Sequence, residues 1–314
     1  MLRSAILAVS RNPRLERLIT AAPVSRGVVR RFVGGTDTAT VVESARGLVA
    51  SGLTVTLDHL GEDCIDRAHA EAVVGAYRDV LDALELAGLA ERLAPLTARS
   101  EVSVKLSAIG QALPTDGHQI ALEHAREICA AAERVGATVT LDMEDHTTTD
   151  STLEVLADLR ADFPATAAVL QAYLHRTEGD CRDLAVAGSR VRLCKGAYRE
   201  PASVAYQKRG QVNLSYVRCI NVLMASGGYP MLATHDPCLI EIGMQRARFY
   251  EKSGYEFQML YGIRPHEQLR LAEMGHPVRV YVPYGAQWYG YLMRRLAERP
   301  ANVGFFARAL ISTR

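Results

Sequence analysis

The feature that most constrains the fold of this 314-residue chain is an eightfold alternation of short apolar runs with longer helical patterns. The runs are rich in β-branched residues, and the segments between them show the i, i+3, i+4 apolar spacing of helices that pack on a sheet. Because the runs are continuous rather than alternating, they indicate strands buried on both faces, as parallel sheets require. The runs cover residues 53–57, 102–107, 138–143, 167–173, 191–197, 231–234, 257–261 and 278–282.

Eight parallel strands alternating with helices predict an α/β fold of the closed (β/α)8-barrel type. An open doubly wound sheet is the alternative. That fold would usually carry a glycine-rich phosphate turn after its first strand, and DHLGE at 58–62 is not such a turn. We expect residues 1–50 to form an N-terminal helical segment that packs on the barrel, and residues 51–314 to form the barrel itself.

Composition excludes several classes of protein. The formal net charge of +1 excludes wholesale electrostatic binding to nucleic acid, and 48% hydrophobic with 23% charged residues is ordinary for a globular chain. No apolar run approaches the roughly 18 residues that a membrane-spanning helix needs. The six cysteines form no CxxC pair, which favours reduced thiols in a cytoplasmic protein over zinc ligands or disulfides.

The N-terminal segment is strongly basic, since residues 1–35 hold seven arginines and one glutamate. Such a segment can be a targeting peptide, a membrane-surface patch or the solvated side of packing helices. We favour the packing helices, with peripheral contact to an anionic membrane as the second interpretation.

Polar side chains follow most of the apolar runs, where each strand is expected to end. In a barrel these side chains project toward the carboxyl end, where catalytic residues converge. Lysine is rare in the chain, yet two of its four lysines stand at these positions. The residues concerned are Asp58, Glu62, Lys105, Asp142, Glu144, Gln171, His175, Arg176, Arg192, Lys195, Thr234, His235, Asp236, Tyr281 and Tyr284.

Several of these positions leave alternatives open. Lys105 can be a Schiff-base lysine of the class I aldolase type, a charge partner for an anionic substrate, or a structural partner of Asp142. Asp142 and Glu144, with His146 following, are weak evidence for a metal site, and we expect no metal. His235 on its own is more often a hydrogen-bonded core residue than a ligand.

A pair of arginines, Arg294 and Arg295, lies in the helical segment after the last run. On an arbitrary helix such a pair would belong to the solvated face. Here the helix follows the loop PYGAQ at the predicted barrel mouth, and the planar guanidinium group suits a carboxylate or a phosphate. Because neighbours on a helix point about 100° apart, both side chains reach one anion only if this C-terminal helix lies across the mouth.

Seven motifs resemble signatures of the proline dehydrogenase family, in order over about residues 53–306. The length resembles the monofunctional bacterial form rather than the fusion with an aldehyde dehydrogenase domain, and residues 1–50 carry little of the signature. The motifs are VSVKLSAIG (102–110), LDMED (141–145), RLCKGAYREP (192–201), ATHDP (233–237), EFQMLYGIR (256–264), RVYVPYG (279–285) and YLMRRLAERP (291–300).

The resemblance implies a distorted (β/α)8 barrel that binds FAD non-covalently at the carboxyl ends of its strands. It implies oxidation of L-proline to Δ1-pyrroline-5-carboxylate, the first step of proline catabolism, by hydride transfer from C5 of proline to N5 of the flavin. It also implies that electrons pass to a membrane quinone, so we expect a cytoplasmic protein with peripheral membrane contact. The oligomeric state is left open by the sequence.

The resemblance also assigns roles to residues. Arg294 and Arg295 would bind the proline carboxylate with Lys105 as a third positive charge, and Asp142 and Arg192 would be catalytic, with Arg192 close to flavin N5. The residues that would contact FAD are Met143, Gln171, Arg192, Lys195, Gly196, Ala197, Thr234 and His235.

Three tyrosines, Tyr198, Tyr281 and Tyr291, would wall the substrate pocket by the same resemblance. Glu62 would be a gate that pairs with an active-site arginine, most simply Arg294, when the site closes.

Three other functions remain as alternatives. A class I aldolase-type barrel using Lys105 would be colourless and would be trapped by borohydride in the presence of substrate. A flavin barrel of the methylenetetrahydrofolate reductase type would need a nicotinamide site. A non-catalytic scaffold docked at a membrane, suggested by the basic N-terminal segment, would bind no cofactor.

Overall fold

The computed structural model describes residues 25–61 and 64–298, and for residues 25–28 and 294–298 it describes the backbone alone. Within these ranges, strands and helices alternate as the sequence predicts. The strands are β1 (Thr54–His59), β2 (Arg92–Ala94), β3 (Thr97–Ala98), β4 (Ser100–Val104), β5 (Thr138–Leu141), β6 (Ala167–Gln171), β7 (Arg190–Cys194), β8 (Tyr229–Ala233), β9 (Glu256–Leu260) and β10 (Val278–Tyr284).

The helices begin at recognisable sequence signals. The helices that begin at Thr38 and Arg67 follow Asp37 and Asp66, whose carboxylates accept hydrogen bonds from the backbone N–H groups of Thr40 and His69. Across residues 25–61 and 64–298, no helix is long and apolar enough to cross a membrane. The helices are α1 (Ser25–Phe32), α2 (Thr38–Ala50), α3 (Arg67–Leu86), α4 (Gly117–Val135), α5 (Thr149–Arg160), α6 (Thr177–Asp183), α7 (Arg209–Met224), α8 (Pro237–Phe249), α9 (Pro265–Glu273) and α10 (Trp288–Glu298).

Eight of the strands close into a parallel barrel in the order β1-β10-β9-β8-β7-β6-β5-β4, with β4 paired back to β1. The short strands β2 and β3 form a separate antiparallel pair immediately before β4. The predicted (β/α)8 barrel is therefore confirmed. The closed order excludes the open doubly wound sheet.

Each predicted apolar run overlaps one barrel strand, but most of the runs extend past the point where the strand ends. Leu106, Met143 and Tyr173 fall in such extensions and follow β4, β5 and β6. All three are buried, although they lie outside the paired strands. An apolar run indicates burial rather than strand pairing, and residues in the loops remain buried after the strand pairing has ended.

Helix α3 shows how the outer helices attach to the barrel. The predicted apolar stripe of this helix is buried, and the hydroxyl of Tyr77 donates to the carbonyl oxygen of Ser103 on β4 at 2.7 Å. Each such buried apolar side chain contributes about 1.5–3 kcal/mol relative to exposure. The stripe consists of Val73, Val74, Tyr77, Val80, Leu81 and Leu84.

A second, smaller core joins α1 and α10 to Leu60, directly beyond the carboxyl end of β1. The C-terminal helix therefore packs at the barrel mouth, as predicted. A Cβ on Gly262, after β9, would lie 1.6 Å from the carbonyl oxygen of Arg31, so only glycine permits this close approach to α1. The residues of this core are Val29, Phe32, Val33, Leu60, Trp288, Tyr289, Tyr291, Leu292 and Met293.

The barrel interior contains charged residues in successive layers. Side chains two apart on a strand point to the same side, so Arg190 and Arg192 of β7 both face inward, as do Glu101 and Ser103 of β4. Arg190 and Glu101 are completely buried. These layers lead upward to the carboxyl end of the barrel, where the candidate site lies.

Candidate active site

A compact polar group occupies the carboxyl end of the barrel around Lys105, which directly follows β4. The Lys105 ammonium lies 2.6 Å from Oδ1 of Asp58 on β1 and 3.7 Å from Oδ2 of Asp142, which follows β5. The hydroxyl of Tyr281 on β10 donates to the same Asp142 Oδ2 at 2.7 Å. The structure thus brings together three residues predicted for the site, Lys105, Asp142 and Tyr281, and adds Asp58.

The charged side chains of this group shift one another's pKa values. Burial raises the pKa of Asp58, although the neighbouring Lys105 opposes that change. Burial also disfavours the charge of Lys105, but attraction by Asp58 and Asp142 outweighs it and raises the pKa of Lys105 above its ordinary value. A lysine whose protonated form is stabilised by two carboxylates suits a charge partner better than a nucleophile, which argues against the Schiff-base interpretation. The partner predicted for Lys105, Asp142, is the more distant of its two carboxylates.

Arg192 lies beside this group with its guanidinium held at both ends. Its Nη1 donates to Oδ1 of Asp142 and to the hydroxyl of Ser103, both at 2.9 Å, and its Nη2 donates to Oε1 of Glu101 at 2.7 Å. The guanidinium carbon lies 5.3 Å from the ring centre of Tyr281, within cation–π range. Burial opposes the charge of Arg192, but Glu101 and Asp142 outweigh it and raise its pKa.

The third nitrogen of this guanidinium, Nε of Arg192, is buried and has no hydrogen-bond partner within the described part of the chain. An unpaired buried donor costs about 1–3 kcal/mol. A bound molecule that supplied an acceptor to this N–H would remove that cost.

The loop after β7 carries the predicted Lys195–Tyr198 segment. Gly196 has a φ of 104°, and a Cβ there would lie 2.3 Å from the ring of Tyr173, so glycine is required on both grounds. The ammonium of Lys195 pairs with Oδ2 of Asp236 at 2.9 Å. Ala197 and Tyr198 are exposed. Tyr198 thus lies on the surface of this loop.

His235 follows β8, and a backbone hydrogen bond fixes its tautomer. Its Nε2 accepts from the N–H of Leu260 on β9 at 2.8 Å, which assigns the ring proton to Nδ1. The guanidinium of Arg264 donates to the carbonyl oxygen of His235 at 2.8 Å. The hydroxyl of the preceding Thr234 accepts from the N–H of Asp236 at 3.1 Å.

The polar groups of the segment after β5 form hydrogen bonds with several different neighbours. Gln171 donates to the carbonyl oxygen of Glu144 at 2.7 Å, while the Glu144 carboxylate accepts from the hydroxyl of Ser107 at 2.8 Å. His146 pairs through Nδ1 with Glu200, at 2.5 Å. The carboxylates and the histidine considered as weak metal ligands thus have separate partners. Met143, at the start of this segment, is buried.

The four remaining predicted residues are Glu62, Arg294, Arg295 and Tyr291. Glu62 falls outside the described residues, as do the side chains of Arg294 and Arg295, although the backbone of both belongs to α10. Tyr291 of the same helix is buried in the small core at the mouth.

Asp58 was noted in the sequence as a polar residue after a strand, but it was not assigned to the site, and Glu101 was not singled out at all. The signal for Glu101 was a charged residue immediately before the apolar run at 102–107, two positions before Ser103 and on the same face of β4. A charge in a strand buried on both faces needs a partner within the barrel.

A closed parallel barrel with a buried charged site at the carboxyl ends of its strands defines this chain as a (β/α)8-barrel protein with an enzyme-like site. A family model described as "Proline dehydrogenase" matches residues 41–308. The chain belongs to the proline dehydrogenase family.

Two full-length relatives carry that name. Proline dehydrogenase 1 of Bacillus subtilis (strain 168) is 36% identical over 313 residues, which cover 99% of each chain. Proline dehydrogenase of Deinococcus radiodurans is 37% identical over 314 residues, which cover 98% of this chain and 97% of the relative.

A solved structure shares the fold. It is proline utilization A (PutA) from Bdellovibrio bacteriovorus inactivated by N-propargylglycine, with a TM-score of 0.80 at 24% sequence identity. The match covers 92% of this chain, which spans about one third (34%) of that protein's length.

Proposed function

We propose that this chain binds FAD non-covalently and oxidises L-proline to Δ1-pyrroline-5-carboxylate, the first step of proline catabolism. Family membership and the names of both full-length relatives support the substrate. The observation that carries the proposal is the environment of Arg192. It is a buried cation at the carboxyl end of the barrel, with one N–H unpaired within the described residues.

Two features of the site fit a flavin. The unpaired Nε–H of Arg192 needs an acceptor, and the heteroatoms of an isoalloxazine edge are acceptors. Gly196 holds the loop after β7 against Tyr173, and the next residue, Ala197, is exposed, so a bound molecule can reach this loop from its exposed side. When bound, FAD would supply the electron acceptor for the C5–H bond of proline. The residues that would hold it are Met143, Gln171, Arg192, Lys195, Gly196, Ala197, Thr234 and His235.

Lys105 is proposed to bind the proline carboxylate, together with Arg294 and Arg295 of α10. A carboxylate that leaves water needs charged partners, and two or three cations serve orientation as well as affinity. The Lys105 ammonium has three N–H donors, of which Asp58 takes one at 2.6 Å. It can therefore keep this partner while it binds the substrate.

Asp142 is proposed as the catalytic carboxylate that fixes its neighbours relative to one another. Its Oδ1 accepts from Arg192 and its Oδ2 accepts from the hydroxyl of Tyr281. The geometry of the cation and of the tyrosine ring is set before substrate arrives, which lowers the entropic cost of reaching a reactive arrangement. Tyr281, with Tyr198 and Tyr291, would wall the pocket.

The electrons are proposed to pass to a membrane quinone, which would give the protein a cytoplasmic location with peripheral membrane contact. The basic character of residues 1–35 supports this proposal, because arginines near a membrane surface are attracted to anionic lipids. Glu62 is proposed to act as the gate that pairs with Arg294 when the site closes.

An absorption spectrum of the purified protein, recorded before and after anaerobic addition of L-proline, tests the function. We expect flavin absorption that is bleached by proline. A colourless protein that is trapped by borohydride with substrate, at Lys105, would instead support the aldolase alternative.

A further inference from the structure

Glu101 has no role in the proposed function so far, yet its carboxylate pairs with two arginines, Arg190 and Arg192. It lies in β4 with its side chain completely inaccessible. Its Oε1 accepts from Arg192 at 2.7 Å and from the hydroxyl of Thr56 at 2.8 Å, and its Oε2 pairs with Arg190 at 2.5 Å. One carboxylate thus joins two arginines of the neighbouring layers of β7.

The guanidinium group is planar, so holding its two terminal nitrogens sets the direction of the third. Glu101 holds Nη2 of Arg192 from below, while Asp142 and Ser103 hold Nη1. The remaining Nε–H, unpaired within the described residues, is left with one orientation. Without Glu101, Nη2 would lose its anionic partner and the plane could rotate about the Asp142 contact.

We propose that Glu101 is a positioning residue that aims the Nε–H of Arg192 at the cofactor and balances the charge of Arg190 and Arg192. The inference rests on the proposed function, because it assigns Arg192 to the flavin. Glu101 acts only through Arg192 and touches neither substrate nor cofactor.

Charge balance gives the inference a second consequence. Arg190, Arg192 and Arg279 are paired with Glu101, Asp142 and Glu256, so three positive charges face three negative ones, and each carboxylate is paired with at least one guanidinium. Neutralising Glu101 leaves one buried positive charge uncompensated next to the site. An uncompensated cation stabilises the electron-rich reduced flavin, so the reduction potential of the flavin should rise.

The test is Glu101→Gln in the FAD-loaded protein, with two measurements. Stopped-flow reduction by anaerobic proline should slow by about 10²-fold, with the proline concentration at half-maximal rate changed less than about threefold, because orientation and not substrate binding is lost. The flavin reduction potential, measured against reference dyes without proline, should become more positive.

Glu256→Gln is the matched control. Glu256 is equally buried and pairs with Arg279 at 2.8 Å, but it makes no hydrogen bond to Arg192 among the described contacts. This variant should lower thermal stability about as much as the test variant does, while the reduction rate stays within about threefold of wild type. Equal effects of the two variants on rate and potential would overturn the inference, since any buried carboxylate would then serve.

Glu101→Asp completes the design, because it keeps the charge but is too short to reach both arginines. We expect its potential to stay near the wild-type value while its reduction rate falls, which separates orientation from charge. If Glu101→Gln does not fold, an unchanged rate in Glu101→Asp overturns the inference. A wild-type protein without flavin, or with flavin that proline does not reduce, would instead contradict the proposed function.

Discussion

Tyr281 combines three contacts in one side chain. Its hydroxyl donates to Asp142, its ring lies under the Arg192 guanidinium, and it stands on β10 two residues after the buried Arg279. Burial, together with the nearby Asp142 carboxylate, raises the pKa of Tyr281 well above its ordinary value, so the hydroxyl remains a donor at neutral pH. The residue therefore shapes the pocket and also orients a proposed catalytic carboxylate.

Substitutions at Tyr281 should separate these two roles. Tyr281→Ser removes the ring and should raise the activity on 4-hydroxyproline relative to proline, because space opens beside the substrate ring. Tyr281→Phe keeps the ring, so the preference should not move, while kcat/KM for proline falls about tenfold through loss of one hydrogen bond. Steady-state kinetics with proline and with 4-hydroxyproline measures the preference and kcat/KM. An unchanged preference in Tyr281→Ser would show that Tyr281 does not line the pocket.

Only glycine fits at position 196 without strain. Gly196→Ala should destabilise the protein by about 1–3 kcal/mol, because both its positive φ and the 2.3 Å approach to Tyr173 resist a Cβ. Gly75→Ala is the control, since a Cβ in the middle of α3 meets nothing within 4 Å and should stabilise by about 0.5–1 kcal/mol. Urea unfolding of both variants gives the comparison, and equal stabilities would be inconsistent with this reading.

At the scale of elements, Glu200 ties together the loops after three strands. This buried carboxylate accepts from the backbone N–H of His146 at 2.9 Å, pairs with the same imidazole, and accepts from the hydroxyl of Tyr173 at 3.3 Å. These loops, after β5, β6 and β7, include several residues proposed to contact FAD. Glu200 therefore fixes their positions relative to one another.

Glu200→Ala should release those loops together. We expect a loss of about 1–3 kcal/mol in unfolding free energy, because buried donors lose their acceptor, and a weaker affinity for FAD. Glu154→Ala, on the exposed face of α5, should stay within about 0.5 kcal/mol of wild type. Chemical unfolding and titration of the apoprotein with FAD report the two effects, and unchanged FAD affinity would show that the loops are held by other contacts.

The order of these elements could be predicted from the sequence, but their ends could not. The apolar runs located all eight barrel strands because a strand buried on both faces must be apolar throughout. They overshot the ends of β4, β5, β6 and β7 because residues such as Met143 stay buried after strand pairing stops.

For the whole molecule, the charged barrel interior couples stability to pH. Burial alone would raise the pKa of Glu101, but attraction by Arg190, Arg279 and Arg192 outweighs burial and holds it well below its ordinary value of 4.5. A carboxyl group with a lowered pKa in the folded state contributes stability that is present above its unfolded-state pKa. That stability is lost as the pH falls toward the folded-state value.

Acid should therefore destabilise the protein through Glu101. The unfolding free energy of the wild type is expected to fall as the pH decreases below about 4.5, and to fall less steeply in Glu101→Gln, which has no carboxyl to protonate. Urea unfolding at a series of pH values measures both slopes. Parallel slopes for the two proteins would show that other carboxylates dominate, such as Asp236, whose pKa the Lys195 ammonium lowers.

The sequence by itself determined the alternation of strands and helices along the chain, favoured a closed parallel barrel over an open sheet, and located the end of the strands at which the polar residues meet. These follow from periodicity and chain direction, which are local properties. Only the tertiary structure decided that Asp58 is the nearer partner of Lys105 and that Glu101 joins Arg190 to Arg192. The residues of these pairs are 47, 89 and 91 positions apart in the chain, and closing the barrel brings them within hydrogen-bonding distance. No local pattern encodes which side chains face one another across it.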